Sequence, residues 1–315
     1  MTVAQPSDSP ASVPVVWNPR AGQKVPGTTE RVDDARLREL LSVQGMAADV
    51  IVAQTPEDAV AAVRRAVAAG HRLVVAAGGD GTIGRLGIEL LGKDVALGIL
   101  PLGTIMNIPR MLGIPRDLDE AARVLAARRM ATIDVGEANG RVFFETASVG
   151  MNAAMFRAAQ YFENGDWGSP LRVLSVALRY RPARMQITLD DDQRVHTRSL
   201  MVTVSNGAYT GVGMTVAPMA RLNDGRLDVR VFRHFSKFEL LRHLASIMFG
   251  RRSYTPHVST YRSAFVRVDG RRPLPCRADA QDLGTTPLEC RVRPASLQVV
   301  VGPGYADGRA ESHKE

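Results

Sequence analysis

Leu73-Val74-Val75 runs directly into Ala76-Ala77-Gly78-Gly79-Asp80-Gly81-Thr82. A buried strand that breaks into this many glycines lets the main chain approach a ligand closely, with positive φ where needed. N–H groups freed by such a turn, together with a helix that follows, form a concave anion site. Asp80 beside a phosphate would repel it unless a cation lies between them. Gly78, Gly79, Asp80, Gly81 and Thr82 therefore predict a nucleoside triphosphate site with a divalent metal.

The flanking sequence supplies elements that could hold such a site. Val13 to Trp17 reads as a strand that ends in the turn Asn18-Pro19-Arg20-Ala21-Gly22, and Asp33 to Leu41 reads as a helix. A second strand covers Asp49 to Ala53. Thr55-Pro56-Glu57-Asp58 opens a helix, with a Thr cap, Pro at the first position and acids in the first turn. Leu73 to Ala76 and Ala96 to Leu100 are further strands, each followed by a turn. The second of these turns is Pro101-Leu102-Gly103-Thr104, and a helix covers Leu118 to Ala127. Strands alternating with helices predict a doubly wound, mostly parallel α/β sheet. Ligands of such sheets bind beyond the carboxyl ends of the strands, where three of these turns lie.

After Asp134 the texture changes. Short β-type runs appear at Val142 to Phe144, Met185 to Leu189, Leu200 to Val204, Leu227 to Phe232, Tyr261 to Val268, Leu288 to Val292 and Leu297 to Val301. Helices are expected at Ala153 to Phe162, Leu171 to Arg179 and Lys237 to Phe249. This half predicts a mainly antiparallel β-sandwich or barrel. The expected division is a tail over 1–13, a nucleotide-binding α/β domain over 14–134, a β-rich substrate domain over 135–302 and a tail over 303–315. The cleft between the halves is the default site.

The chain has 315 residues, 45% hydrophobic, with a formal net charge of +8. That balance favours anionic partners, whether nucleotides, acidic lipid headgroups or nucleic acid, and charge alone does not choose among them. No run reaches the roughly 20 apolar residues that span a bilayer. The Ser/Pro/Ala-rich start lacks a basic segment followed by an apolar block, so it does not read as a secretion signal. Cys276 and Cys290 are the only cysteines, too few for a disulfide framework. These features predict a cytoplasmic protein. Cys/His zinc spacing and aromatic-basic stacking motifs are absent, which argues against nucleic acid as the partner. The helix at Lys237 to Phe249, with Arg242 on it and Arg251-Arg252 beyond, reads as a core-packing stripe or as an interfacial helix on anionic membrane. A homodimer stays open.

Four segments in order resemble the diacylglycerol kinase catalytic family, which includes bacterial lipid kinases and sphingosine-type kinases and is distantly related to NAD kinases. They are Asn18 to Gly22, Gly78 to Thr82, Pro101 to Thr104, and Asn206-Gly207-Ala208-Tyr209-Thr210-Gly211-Val212-Gly213-Met214 running on to Asp224-Gly225-Arg226-Leu227-Asp228. The glycine-rich stretch alone is shared with NAD kinases, and the 206–228 block favours the lipid-kinase side. The resemblance implies ATP contacts at Asn18, Pro19, Arg20, Ala21, Gly22, Thr55, Gly79 to Arg85 and Thr104, with Asn107 serving after a one-residue shift. It implies that Asp80 is catalytic, orienting metal-bound phosphate and helping to polarise the acceptor hydroxyl, and that Asp224 holds a structural Mg2+ with carbonyls near Arg221 and Arg226. Asp279-Ala280-Gln281 aligns with the family's Asp-Gly-Glu segment, which makes Asp279 the candidate general base. The family's Glu is Gln281 here, and an amide takes no proton at neutral pH. The residues after Thr82 and Thr104 also depart, to Gly84-Arg85 and Ile105-Met106-Asn107.

The resemblance implies ATP-dependent, Mg2+-dependent phosphorylation of a lipid hydroxyl, most simply diacylglycerol, at a membrane surface that the enzyme touches peripherally. Two other readings stand beside it: a family member impaired in turnover that binds nucleotide or lipid, and a soluble-substrate kinase of the NAD-kinase type.

Overall fold

The structure is a computed structural model and describes residues 12–21, 32–163, 169–190, 193–211, 213–233 and 258–305. Gly22, Val212, the expected helix at Lys237 to Phe249 and most of both tails lie outside the described residues. The chain forms two compact units, Met1–Ile133 with Ala295–Glu315, and Asp134–Pro294.

In the first unit the strands are β1 (Val13–Trp17), β2 (Ala48–Val52), β3 (Leu73–Gly78) and β4 (Ala96–Pro101). β3 and β4 are buried at every position, as unbroken apolar runs of a parallel sheet must be. β1 pairs in parallel with β2 on one side and β3 on the other, and β3 pairs in parallel with β4. The chain therefore moves one way from β1 to β2 and the other way from β1 to β3. That reversal makes the gap between β1 and β3 the topological switch point, where open α/β sheets bind ligands.

The helices follow their sequence signals. α1 (Asp34–Ser42) starts at the Asp33 cap. α2 (Pro56–Ala68) starts at Thr55 with a complete capping box, in which Thr55 accepts from Asp58 N–H and Asp58 accepts from Thr55 N–H. α3 (Asp80–Leu90) begins at the glycine turn, and α4 (Asn107–Met111) is a single short turn. α5 (Leu118–Ala127) packs onto β4 so closely that a Cβ on Gly98 would lie 2.6 Å from Leu125 Cδ2.

In the second unit the continuing strands are β5 (Met130–Ala138), β6 (Arg141–Phe143), β7 (Thr146–Gly150), β8 (Ala183–Leu189), β9 (Gln193–Ser205), β10 (Tyr209–Thr210), β11 (Met214–Thr215) and β12 (Leu227–Arg233). They are followed by β13 (Val258–Ser263), β14 (Phe265–Gly270), β15 (Pro275–Ala278), β16 (Gln281–Thr285) and β17 (Leu288–Val300), with helices α6 (Met151–Glu163) and α7 (Ser169–Arg179) between β7 and β8. Every ladder inside this unit with a defined register is antiparallel. The N-terminal half of β9 pairs with β8, while its C-terminal half lies between β7 and β12. The interior is aliphatic, with Val149, Val202, Val204, Val229, Val231, Val266 and Val268 fully buried. Cys276 and Cys290 are free and buried within it, and burial pushes the Cys276 thiol up to about 12.

The α/β half and the β-rich half have the predicted character. Two strand boundaries differ. The run Tyr261 to Val268 is two strands rather than one, because the chain turns at Ala264 between β13 and β14. Conversely, Leu288 to Val292 and Leu297 to Val301 are parts of one strand, β17, interrupted by Pro294 and by Ala295 at φ 46°. Beyond that point the chain belongs to the first unit, where Val299 pairs with Leu97 of β4.

Candidate functional site

In the first unit the sequence-predicted residues gather at the carboxyl ends of β1, β3 and β4. Asn18 caps the switch point: its N–H donates to Ala77 O at 3.0 Å, and its Nδ2 donates to Thr82 Oγ1 at 3.2 Å. The Asn18 side chain also accepts from Arg20 N–H at 3.0 Å, which turns Pro19, Arg20 and Ala21 back over the strand end. One amide thus ties the Asn-Pro-Arg turn to the glycine turn.

The glycines act through contact, not through unusual dihedrals. None of Gly78, Gly79 and Gly81 has a positive φ. A Cβ on Gly78 would lie 2.7 Å from Thr82 Cβ, and one on Gly103 would lie 2.5 Å from Gly79 Cα. Gly79 and Gly103 therefore let the β3–α3 and β4–α4 loops touch backbone to backbone. Positive φ is not needed here, since α3 starts directly after Gly79 in extended conformation. Gly81 differs from its neighbours, because a Cβ there would meet nothing within 4 Å. It is exposed at the start of α3, where free N–H groups and the helix dipole favour an anion.

Asp80 sits in the middle of this cluster. Its carboxylate accepts from Asn107 N–H at 3.0 Å and from Ile108 N–H at 2.9 Å, so it caps the N-terminus of α4. Met106, just before that helix, is left-handed at φ 64°. Burial raises the Asp80 pKa against the opposing effect of those N–H bonds. Asn107 reaches the site through this backbone bond. The remaining predicted contacts are placed differently. Thr55 is exposed at the end of β2 with its oxygen committed to the capping box, and Thr104 is exposed with its carbonyl accepting from Arg116.

In the second unit Asp279 occupies the tight turn between β15 and β16, at φ 44°. Its carboxylate lies in a nest of successive main-chain donors: Phe144 N–H to Oδ2 at 2.8 Å, and Glu145 and Thr146 N–H to Oδ1 at 3.0 Å each. A carboxylate offers about four acceptor positions, so one at Oδ2 stays open. Burial raises the Asp279 pKa; the N–H bonds and the nearby Arg277 pull the other way. Gln281 is exposed, and Asp282 is bound to Arg157, with Nε to Oδ2 at 2.6 Å.

Several residues around Asp279 were not expected from the sequence. On the face of the sheet opposite the aliphatic core, Thr146, Ser205 and Asp228 stand in one cross-strand row, and Ser148, Thr203 and Arg230 in the next. Thr146 and Ser205 share a hydrogen bond of 3.1 Å. Ser148 Oγ, Thr203 Oγ1 and Arg277 Nε are buried without a hydrogen-bond partner. Arg277 pairs with Ser148 across the ladder and lies over the Phe156 ring at 4.7 Å. The legible signal was the polar alternation in Thr146-Ala147-Ser148 and Thr203-Val204-Ser205, which marks a sheet with a second, non-aliphatic buried face.

The side chain expected to hold a structural cation, Asp224, is engaged by protein groups. Asp224 Oδ1 accepts from Arg226 N–H at 3.0 Å, while its Oδ2 is paired with the Arg262 guanidinium. Gly225 N–H is held by Asp134 Oδ2 at 2.7 Å, and Leu222 O accepts from Asp134 N–H at 2.5 Å. The turn is thus closed by side chains, and a cation already neutralises its carboxylate. Among the described residues no group of three or more His, Cys, Asp and Glu side chains is placed to hold a metal ion. A dication held by Asp224 with carbonyls near Arg221 and Arg226 would have to displace Arg262 from Asp224 Oδ2.

Comparison with known proteins agrees with both units. Residues 12–138 match the diacylglycerol kinase catalytic domain, and residues 146–301 match the YegS C-terminal NAD kinase beta sandwich-like domain. The protein named lipid kinase YegS from Escherichia coli K12 is 28% identical over 284 residues, covering 86% of this chain and 93% of that protein. A relative from Chromohalobacter salexigens, named "Probable lipid kinase YegS-like", is 27% identical over 79% of this chain and 82% of its own length. A crystal structure of a diacylglycerol kinase from Bacillus anthracis shares the fold with a TM-score of 0.70 at 19% identity, covering 94% of this chain and 98% of that one. With its glycine turn at the switch point of the α/β unit and its antiparallel sandwich, the chain belongs to the diacylglycerol kinase catalytic-domain family.

Proposed function

We propose that this chain is an ATP-dependent lipid kinase that transfers the γ-phosphoryl group to a lipid hydroxyl, most simply that of diacylglycerol. The observation that carries this reading is the loop cluster at the switch point. There Asn18 binds Thr82, Gly79 meets Gly103, and exposed Gly81 opens α3. Such a cluster offers backbone donors to a triphosphate, and phosphoryl transfer rests on positioning and charge neutralisation. Magnesium enters as part of the MgATP substrate. Asp80 ties the β3–α3 loop to α4, so that the donors keep their places.

The acceptor hydroxyl gives its proton to a carboxylate as its oxygen attacks the γ-phosphorus. The bond from that phosphorus to the oxygen bridging the β-phosphate breaks, and ADP leaves. Asp279 is assigned the proton, which its open Oδ2 position can take. Its burial makes it a stronger base than a solvated carboxylate. The polar row of Ser148 and Thr203 suits the hydroxyl-bearing end of a lipid. No helix among the described residues is long and apolar enough to cross a membrane, so the acceptor would be met at a bilayer surface.

A phosphorylation screen with labelled ATP against fractionated lipids tests the reading, with Asp279→Asn as control. Label in a lipid fraction that disappears in the variant supports it. Label in NAD and none in lipid overturns it. Tight ATP binding without ADP release in any lipid extract would favour the second reading, a binding protein without turnover. That reading is motivated by Gln281 and by the nest that already occupies most of Asp279's acceptor capacity.

A further inference from the structure

The solvent face of β8, β9 and β14 carries a concentration of charge that the proposed chemistry does not use. Arg184 and Arg198 stand directly opposite each other across the β8–β9 ladder, and both are exposed. Arg271 N–H donates to Arg184 O at 3.1 Å, which brings a third exposed arginine beside them. All three line one open cavity of about 550 Å3, together with His196, Gln186 and Asp269. None of the three arginines is in an ion pair among the described residues, whereas Asp269 is held by Arg267 through bonds of 2.9 and 3.1 Å. Arg194 continues the same face opposite Thr188.

Like charges directly opposite on neighbouring strands destabilise a sheet. Here such a pair is retained on a solvent face beside a further arginine. An anionic partner would remove the repulsion. The cavity lining includes no Phe, Tyr or Trp on which a nucleobase could stack. A sheet face with fixed guanidiniums instead matches a plane of phosphates, which arginine binds through its planar fork. We propose that this face docks the chain on an anionic phospholipid bilayer, with the Arg184–Arg198–Arg271 cavity receiving a lipid phosphate. The proposal rests on the lipid-kinase reading for its biological sense but is measured without turnover.

The test is co-sedimentation of the full chain with vesicles of phosphatidylcholine alone or of phosphatidylcholine with phosphatidylserine, in the absence of ATP. The wild type should bind the anionic vesicles, and rising salt should weaken that binding. Each cation near an anionic surface is worth about fivefold in partitioning, so Arg184→Gln/Arg198→Gln/Arg271→Gln should lose on the order of 100-fold. A variant with equal loss of charge elsewhere, Arg65→Gln/Arg123→Gln/Arg141→Gln, should lose far less. The first triple variant should also melt no lower than wild type, since it removes the opposed pair; if it fails to fold, Arg184→Gln and Arg198→Gln singly should each lose about fivefold. Equal losses in the two triple variants would overturn the proposal. So would displacement of the chain from vesicles by millimolar inorganic phosphate, which indicates a free-anion site, or by a single-stranded oligonucleotide at lower concentration than vesicle lipid. Activity of the triple variant on lipid in detergent micelles separates the two ideas. Retained micellar turnover with lost vesicle binding supports docking. Vesicle binding by a wild type that phosphorylates no lipid would sink the kinase reading and leave the docking surface standing.

Discussion

Gly81, in the first turn of α3, and Gly103, in the β4–α4 loop, answer to different constraints. A Cβ at position 103 would meet Gly79 backbone at 2.5 Å, so Gly103→Ala should force the two loops apart at a cost of about 1–3 kcal/mol. Position 81 has open space and lies in the first turn of α3. Gly81→Ala should therefore leave stability unchanged or raise it by up to about 1 kcal/mol. It should nevertheless weaken ATP binding if a phosphate approaches that backbone. Thermal melts and nucleotide titration of the two variants together distinguish a packing glycine from a ligand-facing one. At Asp279 the expected signature is a pH profile. The carboxylate must be ionised to take a proton and its pKa is raised by burial, so kcat/KM should climb as pH rises through that raised value. Asp279→Asn should cut turnover by roughly 100-fold or more, with ATP affinity nearly intact. Full activity in that variant would remove Asp279 from the chemistry.

At the level of elements, charge pairs hold the 222–228 turn to its neighbours. Arg262 contacts Asp224 and approaches Asp228 at 3.8 Å, with Asp228 only 3% exposed. Thermal unfolding of the wild type should therefore be the same with Mg2+ or with EDTA. Arg262→Met should lower stability by about 1 kcal/mol, a modest figure because the guanidinium is partly exposed, and the variant should become responsive to Mg2+. Wild-type stability that falls with EDTA would return the turn to a metal. Asp228 gives a second handle. Burial raises its pKa while Arg230 lowers it, the burial effect being larger. A carboxylate whose folded pKa lies above the unfolded value stabilises the fold fully below the unfolded value, and loses that contribution as pH rises through the folded one. Asp228→Asn should flatten the decline in melting temperature from about pH 4 upward, relative to wild type. An unchanged slope would place the titration elsewhere.

For the whole molecule, the first unit is completed by the end of the chain. Leu297, Val299, Val300 and Val301 are at most 2% exposed. Val301 N–H donates to Arg129 O, and Gly302 N–H donates to Leu112 O, each at 2.9 Å. Each buried side chain of this kind contributes about 1.5–3 kcal/mol, so truncation after Pro294 removes an amount comparable to the stability of a typical domain, about 5–15 kcal/mol. Loss of cooperative unfolding in the first unit, read by circular dichroism, is the expected result. A truncated chain that melts normally would contradict the pairing of β17 with β4. The sequence carried this fold where local rules suffice. Unbroken apolar runs gave β3 and β4, the Thr55-Pro56-Glu57-Asp58 signal gave α2, and the strand–helix alternation gave the parallel sheet whose strand ends bear Asn18, Gly79 and Gly103. It left undecided what depends on partners distant along the chain. Residues 297–301 have strand character wherever they pair, and only the sheet that accepts them decides which unit they complete. Arg262 is separated from Asp224 by 38 positions, so no spacing rule could show that a guanidinium reaches the turn. The hydroxyls of Ser148 and Thr203 become a buried polar row only when β7 and β9 align in register. Residue types and short spacings determined the available chemistry, because backbone donors, caps and apolar periodicity act within a few residues. Tertiary structure decided which carboxylates are free, which are neutralised and which are desolvated, because charge and burial depend on distance in space.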